Sequence, residues 1–203
     1  MADPLRPAQV VLVRHGATDW SEAGRHTGWA DVPLNELGLR QASAVAPALA
    51  GWSFSTVLCS PLRRAVATAE RCGLLEAATL DPDLREWNYG DYEGLTTPQI
   101  REGRPGWTIW KDGVEGGETL DEVTARADRV LARLRDCDGD VALVGHGHLL
   151  RVLAARWVDA AGLLAQHLTL ATATLSVLAW EHDWPTIARW NSGYDPGQGE
   201  AGS

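Results

Sequence analysis

A continuous apolar run, Val10-Val11-Leu12-Val13, places the first constraint on this chain. A strand with one wet face alternates apolar and polar residues. A run without alternation and rich in β-branched side chains belongs to a strand covered on both faces. Such a strand sits in a sheet with helices on either side. The run stops at Arg14-His15-Gly16, three residues badly suited to a core. In open α/β sheets, ligands bind outside the carboxyl ends of the strands, so a charged strand end there is a candidate site. A second apolar run, Asp140 to Val144, ends in Gly145-His146-Gly147. If the two strands are neighbours, both histidines face one crevice. Either histidine alone reads more readily as structural; the repeated context argues for a site.

The rest of the chain alternates in the same way. Leu34-Asn35-Glu36-Leu37-Gly38 opens a helix to about Ala50, with Leu39, Ala42, Val45, Ala46 and Leu49 at helical spacing. Pro47 conflicts with that helix and is expected to bend or shorten it. Thr56 to Cys59 is a second strand, and Ser60-Pro61 begins the next helix, serine as N-cap and proline at its first position. Asp81 to Gly117 is irregular and rich in glycine and tryptophan, as long functional loops are, with a short helix around Pro98 to Glu102. Thr119-Leu120-Asp121-Glu122 has capping-box spacing and starts a helix to about Arg135. A further helix runs from about His148 to Val158. Leu175 to Trp180 and Pro185 to Trp190 read as a closing pair of strands. The tail after Asn191 is expected to be flexible. With no repeat or linker, residues 1–203 form one α/β domain with an ordered core of about 9–191. Its expected architecture is a three-layer α/β/α sandwich with a mostly parallel central sheet.

The net charge of −9 opposes binding to nucleic acid or an anionic membrane. It leaves room for a small anion, because a few arginines can invert the potential inside a cleft. No apolar run approaches the roughly 18 residues of a spanning helix, and the N-terminus lacks the apolar core of a signal peptide. Cys59, Cys72 and Cys137 are few, odd in number and without metal-ligand spacing, which suits reduced residues in a cytoplasmic protein. Ten tryptophans against one phenylalanine read mainly as fillers of the core and of pocket walls.

Two more segments carry charge toward the same sheet edge. In Ser60-Pro61-Leu62-Arg63-Arg64-Ala65-Val66-Ala67-Thr68-Ala69, an arginine in the first turn of a helix can point back over the preceding strand end. Arg63 reads equally well as a solvated side chain. In Leu84-Arg85-Glu86-Trp87-Asn88-Tyr89-Gly90-Asp91-Tyr92-Glu93-Gly94, Glu86 lies among aromatics, surroundings that desolvate a carboxylate and favour its protonated form.

With these four segments in this order, the chain resembles the histidine phosphatase superfamily, which contains the cofactor-dependent phosphoglycerate mutases and many phosphatases. The resemblance spans roughly residues 9 to 180 and implies the phosphoglycerate mutase-like fold. It implies His15 as a nucleophile that becomes transiently phosphorylated, and Arg14 and Arg64 as ligands of the phosphoryl oxygens. His146 is the implied second histidine of the phosphate pocket, with Gly147 beside it, and Glu86 the proton donor to the leaving oxygen. Arg25-His26-Thr27-Gly28 resembles the family's substrate-side loop, with Thr27 and Gly28 as substrate contacts. His148 stands where many members have glycine, and it reads either as a plain residue of a helix start or as a pocket contact. The stretch Trp87 to Glu102 resembles the branch containing actinobacterial acid phosphatases and the fungal sedoheptulose bisphosphatase.

The chemistry asked of these residues is consistent with their types. Phosphoryl transfer needs positioning and charge neutralisation, which guanidinium groups supply through paired donors. An attacking histidine must be neutral, with its second nitrogen bonded to an acceptor. The short stretch between Glu86 and His146 and the short tail leave the site open to water. That favours a phosphatase acting on phosphorylated sugars or related metabolites over a mutase. No cofactor and no metal are expected, and a homodimer is compatible with the sequence. Two other classes remain: a metal-dependent enzyme using His15, His146, His148 and a carboxylate, and a phospho-ligand binding protein without turnover.

Overall fold

The structure, a computed structural model, describes residues 6–193. Six strands alternate with helices: β1 (Pro7–Arg14), α1 (Asp19–Glu22), α2 (Glu36–Leu49), β2 (Phe54–Cys59), α3 (Arg63–Arg71), β3 (Ala78–Leu80), α4 (Thr97–Gly103), α5 (Ile109–Asp112), α6 (Leu120–Leu134), β4 (Gly139–Gly145), α7 (Gly147–Trp157), β5 (Thr174–Glu181) and β6 (Trp184–Gly193). The strands form one sheet in the order β3-β2-β4-β1-β5-β6. Its first four strands are parallel, and β5 and β6 close it antiparallel.

The expected layers are present. Along β1 the side chains alternate between two cores. Val10 and Leu12 pack with Val123, Val130, Leu149 and Leu153 of α6 and α7, while Val11 and Val13 pack with Val45, Leu49, Ala65 and Ala69 of α2 and α3. Both faces of the strand are covered, which is why its sequence shows no polar alternation.

Several local expectations are met and some are corrected. Thr119 caps α6 with Glu122 in a reciprocal capping box. Pro47 does not stop α2, which runs two residues further. The proline lies on the exposed face, where water can satisfy the Ser43 carbonyl that a proline cannot reach. Helix α3 begins at Arg63 rather than at Pro61, with Leu62 as its uncapped N-cap. The Ser60 hydroxyl oxygen accepts from the Leu62 amide at 3.3 Å, ahead of the helix, and from His146 Nε2 at 2.7 Å. Residues 191–193 continue β6; the remainder of the expected tail lies outside the described residues. Among the described residues, no helix is long and apolar enough to cross a membrane.

The register brings the charged strand ends together. Arg14 pairs with Gly145 across β1 and β4, and Cys59 with Val144 across β2 and β4. The His15 amide donates to the Gly145 carbonyl at 3.0 Å, and the Ser60 amide to the Val144 carbonyl at 2.9 Å. His15, His146 and Ser60 therefore emerge side by side from three adjacent strands.

Candidate active site

At this edge lies a cleft of about 230 Å³, lined by Arg14, His15, Thr27, Glu86, Tyr89 and Gly147, with Ser21, Gly24, Arg25, His26, His148, Arg151 and Leu170 completing it. His15 is buried, and its Nδ1 lies 2.7 Å from the Gly16 carbonyl. A carbonyl only accepts, so Nδ1 carries the hydrogen and the Nε2 lone pair is left free. Burial, followed by the charges of Arg64 and Arg14, holds the His15 pKa well below its ordinary value. The imidazole is neutral and oriented, as a nucleophile must be. Gly16 is itself held by Thr68, whose Oγ1 accepts the Gly16 amide hydrogen at 3.1 Å and donates to the Arg64 carbonyl at 2.7 Å.

Arg14 donates through Nη1 to the Leu170 carbonyl, while its buried Nε has no partner. A buried donor without an acceptor is costly, and the Arg14 side chain itself lines the cleft beside His15.

Glu86 is 5 % exposed, but its surroundings are not the purely aromatic ones expected from its sequence neighbours. Oε1 accepts from the amides of Trp87 at 2.9 Å and Leu149 at 3.0 Å, and Oε2 from the amide of His148 at 3.0 Å. The carboxyl group thus caps the first turn of α7. Oε1 has both lone pairs engaged. Oε2 keeps one lone pair without a protein partner, and three backbone amides rather than aromatic rings set the surroundings of this carboxyl group.

Arg64 and His146 do not line the cleft; both are fully buried directly behind it. Arg64 donates through Nε to His146 Nδ1 at 3.2 Å, through Nη1 to the Ala30 carbonyl at 3.0 Å, and through Nη2 to the carbonyls of Thr27 and Gly28 at 3.2 and 2.7 Å. His146 Nε2 then donates to Ser60 Oγ at 2.7 Å. Burial and the Arg64 charge keep the His146 pKa well below its usual value. The rings of His15 and His146 lie 5.1 Å apart. The donors of Arg64 and both ring nitrogens of His146 are thus engaged by protein partners, Nδ1 as an acceptor and Nε2 as a donor.

Thr27 reaches the cleft, whereas Gly28 does not. The Gly28 carbonyl serves Arg64, and its amide donates to Glu93 Oε2 at 3.0 Å. A Cβ at Gly28 would lie 2.3 Å from the Trp87 carbonyl oxygen. This glycine allows the 25–29 loop to press against the 85–94 loop, a contact also tied by Trp29 Nε1 donating to the Glu86 carbonyl at 3.0 Å.

A family description, the histidine phosphatase superfamily (branch 1), matches residues 10–193. The chain belongs to this superfamily. Among its superfamily relatives is an acid phosphatase of Mycobacterium tuberculosis, 39 % identical over 184 residues that cover 88 % of this chain and 89 % of the relative. The sedoheptulose 1,7-bisphosphatase of Saccharomyces cerevisiae is 34 % identical over 188 residues, covering 76 % of this chain and 69 % of the relative. A solved and functionally characterised open reading frame product of Mycobacterium tuberculosis superposes with a TM-score of 0.88 at 36 % identity, over 94 % of this chain and all of that one. The fold is that of the phosphoglycerate mutase-like phosphatases.

Within this superfamily frame, some cleft residues had no assigned role in the sequence. His148 is both a helix-start residue and a cleft wall; its Nδ1 takes the Tyr89 hydroxyl at 2.5 Å. Arg151 follows Gly147 by four positions on α7, the helical spacing that places both on one face, and that spacing was a usable signal. Its guanidinium lies 4.7 Å from the Trp110 ring centre. Ser21 and Leu170 carry no such signal, because only the assembled fold brings them to the cleft. Among the described residues, no three or more His, Cys, Asp or Glu side chains gather in a metal-ligand arrangement.

Proposed function

We propose that this protein is a phosphomonoesterase that hydrolyses small phosphate monoesters, with sugar phosphates the favoured class, through a phosphohistidine on His15. The observation that carries the reading is the His15 ring, neutral and fixed by Gly16, with Nε2 free at a cleft that also holds an unpaired Arg14 donor. The phosphorylated sugar comes from the named substrate of the yeast relative, and the small cleft suits a small ester.

In the first step His15 Nε2 attacks phosphorus, and the bond from phosphorus to the leaving oxygen breaks. Glu86 gives its Oε2 proton to that oxygen, and the alcohol departs. General acid help of this kind is worth about 100- to 10,000-fold. In the second step the Glu86 carboxylate takes a proton from a water molecule, whose oxygen attacks the phosphoryl group. The P–N bond breaks, inorganic phosphate leaves, and His15 recovers its lone pair. Arg14 neutralises the phosphoryl oxygens through its guanidinium, and Arg64 adds positive charge from the floor of the site. Direct contact by Arg64 requires it to exchange one carbonyl partner for a phosphoryl oxygen. Metal independence follows from this division of labour, since arginines supply the charge that a cation would bring. A cytoplasmic setting accords with free Cys59, Cys72 and Cys137.

Rapid acid–base quench experiments test the reading. Wild-type protein mixed with a phosphate-labelled ester is expected to carry label that is stable in base and lost in acid. His15→Ala is expected to carry none and to lack turnover in the presence or absence of chelator. A labelled His15→Ala protein, or loss of wild-type activity in chelator, sinks the mechanism.

A further inference from the structure

The proposed general acid stands on a loop, and proton transfer tolerates little error in its position. Two residues outside the cleft hold that loop. Arg126 of α6 and Glu118, just before the Thr119 cap, form a bidentate pair: Nε to Oε1 and Nη2 to Oε2, each 2.7 Å. The remaining Arg126 donors reach the acid loop. Nη1 donates to the carbonyls of Asp83 at 2.8 Å and Arg85 at 2.7 Å, and Nη2 to the carbonyl of Glu86 itself at 3.1 Å. Glu118 grips the far side of the same loop. Its Oε2 accepts the Asn88 amide hydrogen at 2.8 Å, and its carbonyl accepts Trp87 Nε1 at 2.7 Å.

Stability alone is a poor account of this pair. The side chains are 8 % and 15 % exposed, and a pair so buried roughly breaks even against apolar residues of the same size once desolvation is counted. What the pair does supply is geometry. One rigid guanidinium and one carboxylate fix four main-chain points between residues 83 and 88, the acid's own carbonyl among them, and the Glu118 carbonyl holds the Trp87 ring. Lysine cannot reproduce this, since one ammonium on a flexible stem lacks the planar fork.

We propose that Arg126 and Glu118 are positioning residues for the general acid, fixing the main chain of residues 83–88 so that the Glu86 carboxyl meets the leaving oxygen in a single geometry. The proposal rests on the reading of Glu86 as the acid. Phosphoryl binding is carried by Arg14 and His15, which are not on this loop. Disturbing the pair therefore slows the step that needs a proton and leaves phosphate binding alone.

The test compares Arg126→Gln, Arg126→Lys and Glu118→Gln with Glu86→Gln on two substrates, together with inhibition by inorganic phosphate. β-Glycerol phosphate has a poor leaving group that needs a proton; p-nitrophenyl phosphate has a good one. Each variant is expected to lose about 100-fold in kcat/KM on β-glycerol phosphate, a quantity that reads the first step and not the later attack of water, and a loss on the scale of a misplaced catalytic group. On p-nitrophenyl phosphate the loss is expected to stay within about threefold, since that leaving group departs without acid help. Phosphate inhibition is expected to be unchanged. Equal losses on both substrates, or wild-type behaviour of Arg126→Lys, overturn the positioning role. If Glu86→Gln discriminates between the substrates and the other variants do not, the positioning role falls and the acid stands. If Glu86→Gln itself fails to discriminate, both fall. Should Arg126→Gln not fold by circular dichroism, Glu118→Gln decides alone: selective loss supports the role, and any other outcome overturns it.

Discussion

Arg14 carries a buried donor, Nε, with no protein partner, and an orphaned donor costs about 1–3 kcal/mol. A phosphoryl oxygen beside His15 removes that penalty in the bound state. Lysine would keep the charge but not the second donor. Arg14→Lys is therefore expected to lower kcat/KM for p-nitrophenyl phosphate by about 100-fold and to weaken inhibition by inorganic phosphate, both measured by initial rates. Unchanged phosphate inhibition would show that Nε does not serve the phosphoryl group. His15 makes a second prediction at this scale. Burial and two arginine charges hold its pKa well below 6.5, so the free nucleophile stays unprotonated in mild acid. The kcat/KM profile is expected to stay level through pH 6.5 on the acid side, where an ordinary histidine would begin to fail. A decline starting at 6.5 would mean that His15 titrates like a solvated imidazole. Arg14, His15 and Glu86 were legible in the sequence because the chemistry dictates their types and the strand and loop contexts dictate their place. The partners of Arg64 were not. Its bonds to Ala30, Thr27 and Gly28 depend on how two loops fold over α3, which no local pattern records.

At the scale of elements, the start of α2 shapes the site without entering it. The Asn35 amide donates to the Ala17 carbonyl at 3.1 Å, and the Ala17 amide donates to Gln41 Oε1 at 2.9 Å. Helix and nucleophile loop are thereby locked together at a glycine. A Cβ on Gly38 would lie 2.0 Å from the Ala17 carbonyl oxygen, and one on Gly16 would lie 2.3 Å from the Gly38 carbonyl oxygen. Helix propensity alone would make Gly38→Ala stabilising by about 1 kcal/mol; the close approach reverses the sign. The variant is expected to lower Tm by several degrees and kcat/KM by at least roughly tenfold through displacement of the nucleophile loop. Gly51→Ala, where a Cβ meets nothing within 4 Å, is the matched control and is expected to behave as wild type. A stabilised, fully active Gly38→Ala would show that the loop moves aside freely. The same contrast between local and distant causes separates the helices that were legible from the one that was not. Thr119 and Glu122 cap α6 within four residues of each other, so the sequence reveals that start. Ser60-Pro61 satisfies the same local rule and misleads, because the Ser60 hydroxyl oxygen, shared between the Leu62 amide and His146, 86 positions away, meets no amide of the helix itself. Strand β3 has three residues and exists through pairing with β2; nothing so short carries a readable period.

The whole molecule was legible as a layered sheet because Val10 to Val13 and Val141 to Val144 lack polar alternation. The position of β4 between β1 and β2 was not, since strand order is a property of the crossovers. That order concentrates histidines. His15 and His146 are buried and His148 is half-buried, all three with pKa values well below 6.5, and His26 is lowered as well, in each case chiefly by loss of hydration. Their linkage to folding has one sign. When the folded pKa is depressed, the unfolded chain binds more protons in the interval beneath 6.5, so stability falls as pH falls through that interval. Each such histidine contributes a slope of up to about 1.4 kcal/mol per pH unit. The carboxylates act in a different window. Asp83, lowered by its hydrogen bond to Arg129, stabilises the fold above its ordinary value of 3.8 and loses that contribution only below it. Thermal melts in low-phosphate buffer are therefore expected to give a level Tm from pH 8 to about 6.5 and a decline between 6.5 and 5. Inorganic phosphate, binding only the folded site, is expected to raise Tm, and the increase should vanish in Arg14→Lys if that residue holds the anion. A Tm that stays level down to pH 5 would mean that these rings accept protons without opening the fold, and the neutral His15 on which the chemistry depends would lose its support.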